Sequence, residues 1–200
     1  MSMRLGKITS SESHLQYHCQ VYSAHEVDIA PRPDDYGLGN YVAVPLKDGR
    51  VLVGIIYDTR LYNPDFGAFG PRLSSEHELR VFSPDYMADI RTLVDIIVVG
   101  YLGADASPDH DAPQVAPEAN TEVYLMDDHQ VRAFHRAGDE VRLGYLPLLI
   151  ALARTTPVMT QTILRVLQRL QQVFPDGPAS LRLRLVRQNL SWQFRVLSMP

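Results

Sequence analysis

Short apolar runs separated by turn residues make up much of the first 126 residues. Four of them follow one another closely near the N-terminus: Arg4 to Ile8, His14 to Tyr22, Tyr41 to Leu46 and Val51 to Asp58. The Asp48-Gly49 pair between the third and fourth runs supplies the positive-φ positions of a tight hairpin. Short strands at this spacing, divided by Gly, Pro and Asp, predict a small closed β-barrel.

Two later segments are expected to complete the barrel. Leu93 to Leu102 is nearly all apolar and β-branched, which is typical of a strand covered on both faces. Thr121 to Met126 has the composition of one more strand. Ser83-Pro84 predicts a short helix from Pro84 to Ile90. The segment at about 103–120 combines prolines with Asp, Ala and Ser and lacks Lys and Arg, so it is predicted to be an exposed loop.

Beyond Met126 the apolar period becomes that of helices. Asp127 is expected to cap a short helix that runs to His135, whereas Val141 to Tyr145 is expected to form one more strand. From Pro157 to Phe174, apolar residues recur every three or four positions, which predicts an amphipathic helix.

The last segment, Leu181 to Leu197, is ambiguous. Leu181, Leu183 and Leu185 alternate as in a strand, while later apolar residues recur every four positions, and the length of the segment favours a helix. Taken together, these patterns predict an α+β fold in two parts. Residues 1–126 form a small N-terminal β-barrel, and residues 127–200 form a mainly α-helical extension.

Composition limits the class of protein. With 200 residues, of which 46% are hydrophobic, the chain can bury one sizeable core or two small cores in contact. A formal net charge of −4 argues against a protein that coats nucleic acid over its whole surface. Cys19 is the only cysteine, so we expect a reducing cytoplasm. No apolar stretch approaches the ~20 residues of a membrane span, and the first residues lack the apolar region of a signal peptide, so neither membrane insertion nor secretion is expected.

Three motifs of the first half resemble the HAS barrel, the small N-terminal β-barrel shared by HerA-type DNA-translocating ATPases and rotary ATP synthase subunits. They are Leu5-Gly6-Lys7-Ile8, Gly39 to Val44, and Val51 to Ile56 followed by Asn63-Pro64. The resemblance covers residues 1 to about 126. It implies a barrel that helps to build a collar and contacts partner proteins. We expect a bacterial, cytoplasmic protein.

The chain departs from those ATPases where a phosphate-binding loop would stand. Gly6-Lys7 is the only Gly-Lys pair, and it lacks both the earlier Gly and the following Ser or Thr of that loop. The mainly helical residues 127–200 are also too few for a nucleotide-binding α/β domain. We therefore expect no ATP binding or hydrolysis and no cofactor.

Candidate catalytic and metal-binding residues favour ordinary structural roles. His14 and His18, four residues apart on a predicted strand, would place their rings roughly 13 Å apart, which is too far for a shared metal ion. Asp95 interrupts an apolar strand, so its carboxylate should be paired or hydrogen-bonded, with an acid/base role as the alternative. Neither a nucleophile elbow nor a kinase or metalloprotease motif is present, and we predict no catalytic, cofactor or metal site.

Two segments are candidate contact surfaces. The segment Tyr57 to Pro71 interleaves glycines with aromatic residues that form either a contact surface or a plug at the barrel mouth: Tyr57, Tyr62, Phe66 and Phe69. The C-terminal segment has no acid after Asp176 and combines arginines with one aromatic residue: Arg182, Arg184, Arg187, Arg195 and Trp192. Such a segment can be a solvated face, dock a partner protein or bind a nucleic-acid backbone.

These observations favour a non-enzymatic assembly or protein-interaction module. Its expected partner is a second copy or another barrel-containing protein, with docking onto a DNA-translocating ATPase system as one form of this role. A nucleic-acid-binding protein is the first alternative. The second is a hydrolase, which would need Asp95, Asp58 and a histidine within hydrogen-bond reach of one another.

Overall fold

The computed structural model describes residues 3–62, 91–138 and 140–197 of the chain. Its first part contains the strands β1 Arg4–Ser11, β2 Gln16–Val21, β3 Tyr41–Pro45, β4 Val51–Tyr62, β5 Arg91–Leu102, β6 Pro108–Asp109 and β7 Glu122–Leu125, with a one-turn 3-10 helix at Pro33–Tyr36. Its second part contains α1 Asp128–His135, the two-residue strands β8 Arg136–Ala137 and β9 Glu140–Val141, then α2 Leu146–Leu152, α3 Val158–Val173 and α4 Gly177–Leu197.

Six antiparallel strands close into a barrel in the order β1, β2, β5, β4, β3, β7, and β7 pairs again with β1. The short β6 pairs with the end of β5. An N-terminal barrel followed by helices was predicted from the strand spacing, and this α+β architecture is confirmed. The predicted hairpin is also present, with Pro45 opposite Val51 and Gly49 at a φ of 86°.

Gly6 is required by the way β1 passes between its neighbours. A Cβ at this position would lie 1.9 Å from the carbonyl oxygen of Gln20, so no larger residue fits. Gly6 pairs with Val21 on one side and Val123 on the other. The Gly6-Lys7 pair is therefore part of a strand ladder.

The strands β3, β4 and β5 are buried on both faces along most of their length because the helices cover that side of the barrel. The barrel interior holds one apolar cluster: Leu5, Ile8, Tyr17, Cys19, Val21, Val42, Val44, Leu52, Ile56, Val94, Ile96, Val98 and Val123. The outward residues of β3, β4 and β5 join the helices in a second, larger cluster that includes Tyr41, Val53, Ile55, Ile97, Val99, Val131, Phe134, Leu149, Met159 and Leu170. The strand predicted to be covered on both faces, β5, thus contributes to both cores.

The helix α3 buries the apolar stripe that the sequence predicts. Met159, Ile163, Val166, Leu167 and Leu170 are all fully buried against the barrel and the neighbouring helices. Each such burial contributes roughly 1.5–3 kcal/mol, more than helix propensity could supply.

Gly39 brings the segment before β3 against α3. It has a φ of 83°, and a Cβ there would lie 2.8 Å from the Cβ of Arg165. Only glycine meets both the left-handed backbone conformation and the close approach. This contact fixes the path of the chain into the barrel.

Some predicted elements differ from the structure. The prediction of a strand from Val141 to Tyr145 is wrong. Only Val141 pairs, in β9, while Tyr145 precedes α2 as its N-cap. The segment 103–120 is not wholly exposed, since it contains β6 and the buried His110. The helix predicted for Pro84 to Ile90 lies outside the described residues. Across the described residues, no helix combines the length and the apolarity that a membrane span requires.

Candidate interaction face

The helix α4 presents apolar side chains on two opposite sides. Toward α3 it buries Ala179, Leu183 and Leu190. On the other side Leu181, Leu185 and Trp192 keep 57%, 58% and 62% of their surface exposed. At about 100° per residue, these three lie within about 40° of one another and about 180° from the packed face. We call Leu181, Leu185 and Trp192 the outer stripe.

Two opposite apolar faces also explain why the sequence of α4 is ambiguous. Leu183 belongs to the packed face, whereas Leu181 and Leu185 belong to the outer stripe. Three consecutive odd positions are therefore apolar, which imitates the alternation of a strand. The helix favoured by length is confirmed, and of the three alternating residues Leu181 and Leu185 do not contribute to the core.

Arginines flank the outer stripe. Arg182, Arg184 and Arg195 are exposed beside it, and Gly177–Leu197 contains four arginines and no acid. Arg182 donates from Nη1 to Glu140 Oε2 at 2.6 Å, and Arg195 Nε donates to the Ser191 carbonyl oxygen at 3.2 Å. A stripe of apolar side chains between cationic rims is thus exposed along the helix.

Arg187, a predicted member of the same contact surface, points elsewhere. It is half-buried and donates from Nη1 to Gln171 Oε1 on α3 at 2.7 Å. Its place near the packed face of α4 makes it a link between α3 and α4 rather than part of the rim.

An apolar groove runs beside the outer stripe. It lies between the start of α2 and α4, has a volume of about 360 Å³, and is lined by Leu146, Leu185, Val186 and Leu190 with Asn189 and Gln193. Leu185 lines this groove and also belongs to the outer stripe. The stripe and the groove therefore form one continuous apolar surface, which we call the α4 face.

The predicted aromatic segment does not form a single cluster in the described residues. Tyr57 was a candidate for the contact surface, but the structure does not place it there. It lies inside β4, is 4% exposed, and belongs to the core between barrel and helices. Its hydroxyl accepts a hydrogen bond from Gln16 Nε2 at 3.2 Å. Tyr62 ends β4 and is about half exposed. Phe66 and Phe69 lie outside the described residues.

Asp95 is paired, as an acid in an apolar strand should be. It is fully buried, and its Oδ1 accepts from His18 Nδ1 at 2.7 Å while its Oδ2 lies 2.8 Å from Arg60 Nη2. The second contact is an ion pair whose angles fall short of a hydrogen bond. Glu12 Oε1 lies 3.2 Å from Arg60 and 3.6 Å from His18 Nε2. The four side chains form a ring in which acids and bases alternate.

This ring pairs acids with bases, and within the described residues no nucleophile completes it as a hydrolytic site. Asp58 is the register partner of Asp95, yet its Oδ1 accepts from the Thr59 amide and contacts no histidine among the described residues. The side chain that faces His18 Nε2 in the described part of the chain is Glu12, and no hydroxyl or thiol bonds to that nitrogen there. His14 donates separately to the Pro113 carbonyl oxygen at 2.8 Å.

A second buried polar network was missed by the sequence analysis. His135 Nδ1 donates to the Val131 carbonyl oxygen at 2.7 Å, so Nε2 is the acceptor and faces the Tyr145 hydroxyl at 2.8 Å. The Tyr145 hydroxyl in turn lies 2.7 Å from that of Tyr41 on β3. Burial lowers the pKa of His135 to about 3 and raises the pKa of both tyrosines. The network joins the barrel to α1 and α2 through neutral groups.

A signal for that network was present in the sequence. His135 follows Phe134 and lies four residues after Val131, so it falls on the apolar side of the predicted helix. Its partners Tyr41 and Tyr145 are too distant in sequence for any local pattern to have paired them.

Comparison with known proteins gives a family without an assigned activity. No curated protein matches the chain. A family model described as Domain of unknown function (DUF8166) matches residues 1–199. That match includes the barrel, the helices and the α4 face, so the chain belongs to the DUF8166 family.

Proposed function

We propose that this protein is a non-enzymatic interaction module that binds a partner protein through the α4 face. The observation that carries the proposal is the outer stripe, which lies on the side of α4 opposite its packed face. Single exposed apolar residues are ordinary, but three in one line beside an apolar groove form a continuous patch. Covering the exposed part of each contributes about 1 kcal/mol or somewhat more before the costs of association.

The barrel favours docking through side chains rather than through a strand. Each of the six barrel strands pairs on both sides, so it offers little unpaired edge to an added peptide strand. A partner would therefore dock on a helical surface. Among the described helices, α4 combines exposed leucines with an exposed tryptophan, a residue type enriched at interface centres.

The resemblance of the barrel motifs to the HAS barrel supports the same role. In HerA-type ATPases that barrel contacts partner proteins, and here Gly6-Lys7 is held in a strand ladder. We extend the proposal to a HAS-like barrel that docks onto another barrel-containing protein of a DNA-translocating ATPase system in a bacterial cytoplasm. Self-association through Phe66 and Phe69 stays a prediction.

The test removes the outer stripe without touching the core. The double variant Leu181→Ser/Leu185→Ser should lose the partner that the tagged full-length chain recovers from its native host. Truncating central interface residues costs about 2 kcal/mol or more, a loss of about thirtyfold in affinity. Ile29→Ser is the matched control, because Ile29 is also apolar and is 73% exposed. Equal recovery by the double variant and the wild type, or no recovery by either, would contradict the proposal.

Nucleic-acid binding is the second candidate function. It is favoured by the four arginines and the single tryptophan of α4, a helix without acids. Binding of this kind would weaken steeply with salt. Titration with a fluorescent single-stranded oligonucleotide at low and high salt measures it, and Arg184→Ala should reduce both the affinity and the salt dependence.

A further inference from the structure

We infer that the segment bound by the α4 face is an acidic amphipathic helix of a different protein, and this inference rests on the proposed function. Three features of the α4 face limit what can cover it. They are the line of its apolar residues, the charge of its rims and the groove beside it.

The charge disfavours a second copy docked face to face. A two-fold interface brings the same patch of both copies together, so the rims that carry Arg184 and Arg195, which are not held by Glu140, would lie close to the same rims of the other copy. Since α4 contains no acid, no residue of the opposing helix could compensate them. Like charges across an interface cost several kcal/mol. The complementary partner therefore places Asp or Glu where these arginines lie.

The spacing of the outer stripe fits a helix. From Leu181 to Trp192 the stripe spans eleven residues, or about 16 Å at 1.5 Å per residue. About three turns of a partner helix would cover this length. The groove between α2 and α4 gives such a helix a place for one of its own apolar side chains between Leu146 and Leu190. This is the helix-in-groove mode, in which anchors recur at three- and four-residue intervals.

The apolar centre argues against a phosphate backbone as the occupant. A nucleic-acid backbone would place its charges over Leu181 and Leu185, which cannot compensate them. The arginines lie at the rims, and Arg182 is already held by Glu140. A partner helix with an apolar stripe flanked by carboxylates matches both the apolar centre and the cationic rims of the α4 face.

Trp192 provides a direct test because it is the only tryptophan of the chain. Covering it should shift its emission to shorter wavelength. The probes are two synthetic amphipathic peptides of about 18 residues, long enough for the stripe. Both carry leucine at the same positions, one has glutamate at every flanking position, and the other has lysine there. A single-stranded oligonucleotide is the third probe.

We expect the glutamate peptide to bind the full-length chain about tenfold more tightly than the lysine peptide at low salt. The difference should shrink in high salt because the rims are exposed. Leu185→Ser should lower the affinity for the glutamate peptide about tenfold, since it removes a side chain shared by the outer stripe and the groove. Arg184→Glu should reduce the preference for the glutamate peptide, because it leaves the charge of Arg195 balanced by an acid, and Ile29→Ser should change neither value.

The possible outcomes separate this inference from the proposed function. Preference for the lysine peptide, a shift with the oligonucleotide alone, or no shift with any probe would overturn the acidic helix. Each of these results would leave the proposed function standing, because that function is tested separately by the loss of partner recovery in the Leu181→Ser/Leu185→Ser variant. Conversely, unchanged recovery by that variant would overturn both.

Discussion

His135 shows how one buried polar residue can hold several elements together. Its Nδ1 donates within α1, and its Nε2 accepts from Tyr145, whose hydroxyl reaches Tyr41 on the barrel. Burial lowers the pKa of His135 to about 3, so the ring is neutral at ordinary pH. In that neutral ring Nδ1 donates and Nε2 accepts, and each nitrogen has a partner for its role. The junction between barrel and helices thus depends on the protonation state of one imidazole.

The pH dependence of stability should reveal His135. In the unfolded chain a histidine binds a proton below about pH 6.5, whereas folded His135 does so only near pH 3. The free energy of unfolding should therefore fall as the pH drops through this window, by up to about 1.4 kcal/mol per pH unit for this group. His135→Gln should flatten that slope in urea titrations from neutral pH to about pH 4.5.

His129→Gln is the matched control for that experiment. His129 lies on the same helix but is exposed, so its replacement should leave the slope unchanged. Several carboxyl groups with lowered pKa also weaken the fold in acid, which is why the difference between slopes is the informative quantity. Equal slopes in the wild type and His135→Gln would refute the assignment.

At the scale of elements, α3 and α4 form a pair with different roles. The helix α3 buries its whole apolar stripe, and α4 divides its apolar residues between a packed face and the outer stripe. A single periodicity predicted α3 correctly because the residues of its stripe all share one buried environment. In α4 the residues of the two faces alternate along the sequence, and only the packing shows which leucine belongs to the packed face and which to the outer stripe.

Replacing Leu167 should measure how much α3 contributes to the fold. Leu167 is fully buried, so Leu167→Ala should lower the free energy of unfolding by about 2–5 kcal/mol. Leu167→Asp should leave the chain unfolded or aggregated, since a carboxylate there has no water. Gln168→Ala on the exposed side should stay within about 0.5 kcal/mol of the wild type in thermal or urea unfolding. A soluble Leu167→Asp variant with an unchanged Tm would show that the side chain is not in the core.

Across the whole molecule, strand spacing and turn residues were enough to predict a barrel, its hairpin at Asp48-Gly49 and the following helices. They could not show which outward faces the helices cover, because that depends on contacts far apart in sequence. Tyr57 and Tyr145 illustrate this: each stands beside turn residues and looks exposed or extended locally, yet both are buried between barrel and helices. Of the α4 face, the arginines and Trp192 were identified, whereas the outer stripe and groove required the packed structure.

The shared core predicts that barrel and helices unfold as one unit. Residues 1–126 alone would expose the outward side chains of β3, β4 and β5, among them Val53, Ile55 and Val99, which the helices cover in the full chain. We expect that fragment to be insoluble or unfolded. In the full chain, calorimetric and van't Hoff enthalpies of unfolding should agree. A fragment that folds alone, or two separate transitions, would show that the barrel is independent.

Because Cys19 is buried, the reactivity of its thiol reports how often the barrel strands separate. Its thiol lies fully inside the barrel, and burial raises its pKa, so the reactive thiolate is scarce in the folded state. Maleimide should modify it only when the strands separate, and the rate of modification then measures how often they do. The same inertness leaves a cysteine introduced at Leu185 as the sole target for a dye or cross-linker. The α4 face can thus be labelled in the otherwise native sequence.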